Sequence, residues 1–132
     1  MKIEHIGIAV KELAKADEVF SKLFNQQPYK KEAVESESVT TSFYQLGESK
    51  IELLEATDPN SAIYKFIEKR GEGIHHIAFE VKDIEAEIDR LKGEGFQMIH
   101  DFPKDGADNK RIAFLHPKST SGVLVELCQE KV

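Results

Sequence analysis

Bulky apolar residues alternate with smaller or polar ones in Ile6-Gly7-Ile8-Ala9-Val10 and again in Ile77-Ala78-Phe79-Glu80-Val81, the period-two signature of a strand with one buried face. Behind each comes a spacing of three and four: Leu13, Ala16, Val19, Phe20 and Leu23 after the first, and Ile84, Ile88 and Leu91 after the second. That spacing predicts two helices, each with one apolar side. Residues 39 to 46 and 111 to 115 read as strands, as do Ser49–Leu54 and Gly122–Leu127, with weaker strand signals at 29 to 34 and 96 to 100. Between the halves, Asp58-Pro59-Asn60-Ser61 leads into Ile63, Phe66 and Ile67 and stops at Gly71-Glu72-Gly73, a short helix with a polar start and a glycine end.

The two halves say nearly the same thing. Ile3–Lys11 lines up with Ile74–Lys82, so that His5 falls on His76, and Ser49–Leu54 resembles Gly122–Leu127, with Glu52 matched to Glu126. His5 and Glu52 lie 47 residues apart and His76 and Glu126 lie 50 apart, so the second match keeps the offset of the first to within a small loop insertion. The chain is therefore read as an α+β protein of two tandem βαβββ modules, approximately 1–56 and 73–132, joined by a helix at approximately 58–72.

On a strand, His5 shares its side with Ile3, Gly7 and Ala9, while Ile6, Ile8 and Val10 face the other way. His76 is placed likewise beside Ala78, and Glu52 and Glu126 alternate with residues of the kind usually buried. Two imidazoles and two carboxylates turned inward are costly to desolvate without a partner. A divalent cation supplies one, and the mixture of nitrogen and oxygen donors suits zinc, cobalt, nickel or manganese with positions left open for substrate. His75 lies on the face opposite His76, and His100 and His116 have no repeat partner; packing or turn hydrogen bonds account for them. Cys128 reads as a small buried hydrophobe, and Glu80 lies on the His76 side of its strand.

Composition narrows the partners. In 132 residues, 24 Asp and Glu against 18 Lys and Arg give a formal net charge of −6, which argues against a nucleic-acid partner. A single cysteine excludes an intramolecular disulfide framework and fits a reducing compartment. The apolar runs are too short to span a bilayer and the first residues enter a strand pattern, so a cytoplasmic protein without a membrane partner is expected.

His5-Ile6-Gly7-Ile8-Ala9-Val10, Lys50-Ile51-Glu52-Leu53-Leu54-Glu55, Gly73-Ile74-His75-His76-Ile77-Ala78-Phe79-Glu80-Val81, and Leu115-His116-Pro117-Lys118 leading into Gly122–Leu127 together resemble the vicinal-oxygen-chelate superfamily. The Gly-Ile-His-His segment and the His-Pro-Lys turn resemble, within it, the methylmalonyl-CoA epimerase family. The resemblance implies paired modules whose mixed sheet curves round a metal-binding cleft, one divalent ion (Co, Zn, Ni or Mn) held by His5, Glu52, His76 and Glu126, an acyl-CoA substrate, and a homodimer. It implies proton abstraction with Glu126 as general base, and Glu52, Glu80 or a water as second proton carrier. Thr41 stands where some of these epimerases carry a carboxylate assigned a base role, and Asp105–Asn109 replaces a glycine-rich loop with a more polar one. Lys104, Lys118 and Arg111 lie on segments suited to the phosphates of the coenzyme. The same ligand order serves glyoxalase I, which acts on a glutathione adduct, and antibiotic-sequestering proteins of the superfamily bind without catalysis.

Overall fold

The computed structural model describes residues 1–132. In chain order the elements are β1 (Lys2–Ala9), α1 (Leu13–Phe24), β2 (Lys30–Val34), β3 (Val39–Leu46), β4 (Ser49–Ala56), α2 (Ala62–Arg70), β5 (Gly73–Glu80), α3 (Ile84–Gly93), β6 (Lys104–Gly106), β7 (Lys110–Leu115) and β8 (Val125–Glu130). The fold is α+β, with the βαβββ order expected in each half. No helix is long and apolar enough to cross a membrane. The chain divides into two compact units, one of His5–His75 and one of Met1–Glu4 with His76–Val132.

In the first unit the strands run β2-β3-β4-β1, with β1 parallel to β4 and the others antiparallel. Val10, Leu13, Tyr44 and Leu53 form a core on one side of this sheet, with Ile8, Ala16, Phe20, Phe24 and Ile51 packed around it. Helix α1 covers that side. Its inward stripe differs from the one expected: Val19 and Leu23 are 61% and 69% exposed, and the inward positions go to Leu13, Ala16, Asp17, Phe20 and Phe24. The cause is polar. Asp17 accepts hydrogen bonds from Ser42 Oγ at 2.9 Å and Tyr44 OH at 2.8 Å and pairs with Lys31 Nζ at 2.9 Å, which turns the helix so that a carboxylate replaces an apolar residue in its stripe. Burial, reinforced by Asp17, pushes the Tyr44 phenol up to about 12. On the other side of the sheet Ala9, Val39, Leu54 and Ile63 pack together, with Phe66 and Ile67 of α2 against them. Ser61 starts α2 by accepting from Ile63 N.

In the second unit the order is β5-β8-β7-β6, with β5 parallel to β8. Helix α3, started by Asp83, buries Ile84, Ile88 and Leu91 with Val81, Met98, Ala113, Leu115 and Leu127, the stripe its spacing predicts. The strand expected at 96 to 100 is reduced to an isolated bridge between Met98 and Leu115; Met98 belongs to the α3 core, and the edge strand is β6 at Lys104–Gly106.

The two units repeat each other in their hydrogen bonds. Val10 N donates to Leu54 O and Val81 N to Cys128 O, both at 2.9 Å. The first amide of α1, Leu13 N, is held by Glu55 Oε2 at 3.1 Å, and that of α3, Ile84 N, by Gln129 Oε1 at 2.9 Å. A side chain from the end of the neighbouring strand thus satisfies one of the orphan donors at each helix start.

His75 packs edge-on against the Phe66 ring at 5.1 Å, and burial pushes its pKa down to about 4. The unfolded chain, with an ordinary value near 6.5, binds this proton first. Stability from neutral His75 is therefore present above pH 6.5 and lost as the pH falls toward 4, by ~1–3 kcal/mol. A His75→Phe variant should show a flatter fall in melting temperature between those pH values than the parent; parallel curves would contradict it.

Candidate functional site

Each unit carries α1 or α3 on one face of its strands and a histidine and a glutamate on the other. In the first unit Gly7 on β1 lies in register with Glu52 on β4. His5, two residues before that glycine, sends Nδ1 to within 3.1 Å of Glu52 Oε2, and both side chains are nearly sealed from water. Gly7 and Ala9 leave the strip beside them shallow. In the second unit Ala78 on β5 lies in register with Glu126 on β8, and His76 Nε2 approaches Glu126 Oε1 at 3.5 Å, again with both side chains buried. The four residues singled out from the sequence thus lie as two imidazole–carboxylate pairs, His5 with Glu52 and His76 with Glu126.

The register adds two residues that the sequence pattern did not mark. Phe43 on β3 faces Glu52 across the strand pair, and Phe114 on β7 faces Glu126. They are 71 residues apart, as His5 and His76 are, so the aromatic pair belongs to the same repeat. The three extra residues that set Glu126 off from Glu52 fall in the β7–β8 connection, where His116 caps a short turn by accepting from Lys118 N. Each phenylalanine is covered by a second ring: Tyr29 at 5.8 Å from Phe43 and His100 at 6.4 Å from Phe114. The His76 ring meets the edge of Phe114 at 5.9 Å. These rings surround the imidazole–carboxylate pairs with apolar surface and strengthen every charge interaction among them.

Other sequence candidates fall differently. Arg111 is turned toward α3 and ion-pairs with Glu85, away from the His76–Glu126 face. Lys104 shares that face through its register with Ile112, and Lys118 lies in the short turn after His116. Glu80 pairs with Lys2 Nζ at 3.5 Å. Glu4, which the sequence pattern did not single out, is a buried carboxylate. Thr41 is 1% exposed and its hydroxyl has no hydrogen-bond partner.

Both pairs combine an imidazole nitrogen with a carboxylate oxygen, the donor types that divalent cations such as zinc, cobalt, nickel and manganese accept. A cation would also offset the charge of two carboxylates withdrawn from water. The residues present therefore fit a metal of this class.

Comparison with known proteins places this geometry. A family model described as the Glyoxalase/Bleomycin resistance protein/Dioxygenase superfamily matches residues 4–114. An uncharacterized protein of Bacillus subtilis (strain 168) is 38% identical over 130 residues, covering 98% of this chain and 93% of its own. An ethylmalonyl-CoA/methylmalonyl-CoA epimerase of Cereibacter sphaeroides is 39% identical over 130 residues, 97% of either chain. Among solved structures, a substituted Streptomyces coelicolor methylmalonyl-CoA epimerase in complex with 2-nitronate-propionyl-CoA is similar with a TM-score of 0.95 and 34% identity, over 100% of this chain and 96% of that one.

Cys128 sits on the same face as Glu126, is fully buried, and its thiol donates to Phe79 O at 3.6 Å. Burial, then the charges of Glu126 and Glu4, push its pKa far above the ordinary range. The thiol should be inert to a disulfide-exchange reagent at pH 8 in the folded protein and react fully in denaturant; fast labelling of the native chain would contradict this burial.

Proposed function

The chain belongs to the glyoxalase/bleomycin resistance protein/dioxygenase superfamily, and from that premise we propose that it is a metal-dependent methylmalonyl-CoA epimerase. The observation that carries the reading is the repeated buried pair, His5 with Glu52 and His76 with Glu126, in a chain with full-length relatives named as epimerases of that substrate. The proposed ligands of one divalent ion are these four residues. When bound, the ion supplies Lewis acidity beside the thioester and carboxylate oxygens of the acyl group.

Epimerisation takes a proton from the carbon between thioester and carboxylate and returns one to its opposite face. Two positioned carboxylates meet that demand. In this reading Glu126, which lies beside His76, takes the proton from one face. Glu52, which lies beside His5, carries a proton and returns it to the other. The repeat gives the two carboxylates equivalent places in their own modules. Phe43, Leu54, Phe114, Ile112 and Cys128 line the two faces and exclude the water that would weaken the proton transfers. The homodimer and the cytoplasmic setting expected from the sequence belong to the same reading.

The test is isotope exchange. Methylmalonyl-CoA incubated with the protein in heavy water should gain deuterium at C2 while its epimers equilibrate. Glu126→Gln, checked for metal content, should lower the exchange by about 10² or more, the contribution of a positioned general base. Near-normal exchange in the metal-loaded variant would remove Glu126 from the base role. A wild-type protein that leaves this proton untouched yet turns over the methylglyoxal–glutathione adduct would replace the epimerase with a glyoxalase.

A further inference from the structure

Strand β3 carries three fully buried polar side chains in its middle, Thr41, Ser42 and Tyr44. Two of them point to the α1 side and are satisfied: Ser42 Oγ and Tyr44 OH both donate to Asp17. Thr41 points the other way. It lies in register with Leu54 on one neighbour and Glu32 on the other, on the face that carries His5 and Glu52, and Glu52 is its diagonal neighbour across the strand pair. Its hydroxyl is sealed from solvent and has no hydrogen-bond partner in the protein. Glu32 pairs with Lys30 Nζ at 3.0 Å.

An unpartnered buried hydroxyl is rare and calls for an explanation. The repeat supplies a control. The position equivalent to Thr41 in the second unit, 71 residues on, is Ile112, which is buried in the same register relation to its β8 neighbour Cys128. A module of this kind therefore closes at this place with an apolar branched side chain and has no structural use for an oxygen there. In the first unit the same place holds a residue of similar shape with a donor added, next to the carboxylate of a proposed acid–base pair.

We propose that Thr41 is a substrate-binding residue whose hydroxyl donates a hydrogen bond to a carboxylate oxygen of the acyl group. The proposal rests on the epimerase reading, in which the thioester oxygen and one carboxylate oxygen face the cation and the second carboxylate oxygen is left to find a donor. A hydroxyl fits that need because it is neutral and donates. Hydrogen bonds to an ionised acceptor are among the strong ones, and one formed in this dry surrounding distinguishes acyl groups with a free carboxylate from those without.

The experiment compares wild type, Thr41→Val and Thr41→Ser by calorimetry with two probes, malonyl-CoA and propionyl-CoA, which differ in the carboxylate. Thr41→Val keeps the shape, so its melting temperature should equal or exceed the parent's. Its affinity for malonyl-CoA should fall by about 10- to 100-fold, the range for a hydrogen bond to a charged group, with propionyl-CoA changed by no more than about twofold. Thr41→Ser should retain most of the malonyl-CoA affinity. Unchanged malonyl-CoA affinity in Thr41→Val overturns the proposal, as does an equal loss for both probes, which would make the residue a packing element. A wild-type protein that binds neither thioester fails the epimerase reading itself and takes this assignment with it.

Discussion

A buried carboxylate beside a buried imidazole is the constraint around which each half of this chain is arranged. Withdrawing Glu52 and Glu126 from water is costly unless charge and hydrogen bonds replace the lost solvation, and the partners nearest at hand are His5 at 3.1 Å and His76 at 3.5 Å. That arrangement needs a strand face without bulk, which Gly7, Ala9 and Ala78 provide. Helices α1 and α3 cover the opposite faces with their own cores. The starts of those helices are tied to the same sheets by Glu55 and Gln129. A shift of either helix would pull on the strand that carries a glutamate.

The two units repeat each other closely and differ at particular rows. The two units agree in the histidine, the glutamate, the phenylalanine facing the glutamate, and the strand amide that closes behind them. They differ at the next row: Thr41 beside Leu54 in one, Ile112 beside Cys128 in the other, and Val39 against Lys110 one step further, the latter buried and paired with Glu130 at 3.1 Å. In the proposed reading the repeated glutamates supply the two proton carriers that epimerisation requires.

Much of this was legible before any coordinates. The alternation around His5 and His76 and the matched offset to Glu52 and Glu126 depend only on strand periodicity, which survives in the fold as residues sharing a face. The stripe of α3 was legible for the same reason, all its inward positions being apolar. The stripe of α1 was not, because Asp17 occupies an inward position through bonds to Ser42 and Tyr44 on a strand some 25 residues away, and no local pattern carries that information. Phe43 and Phe114 were overlooked because a phenylalanine in a strand reads as core; their offset of 71 residues was the available signal. The strand expected at 96 to 100 failed where Met98 was drawn into the α3 core. Arg111 was turned away by Glu85, an ion pair set by helix position. The orphaned hydroxyl of Thr41 follows from register and burial together, neither of which a sequence displays.

The central proposal is that His5, Glu52, His76 and Glu126 hold one divalent ion. Metal stoichiometry and affinity, measured by titrating the stripped protein with cobalt or zinc, test this most directly. The account predicts one ion per chain, with His5→Ala and His76→Ala each weakening that ion by about 10² or more although they lie in different modules, because loss of a direct ligand costs at least as much as loss of its supporting groups. Two ions per chain, or a single ion whose affinity depends on one pair and ignores the other, would contradict it.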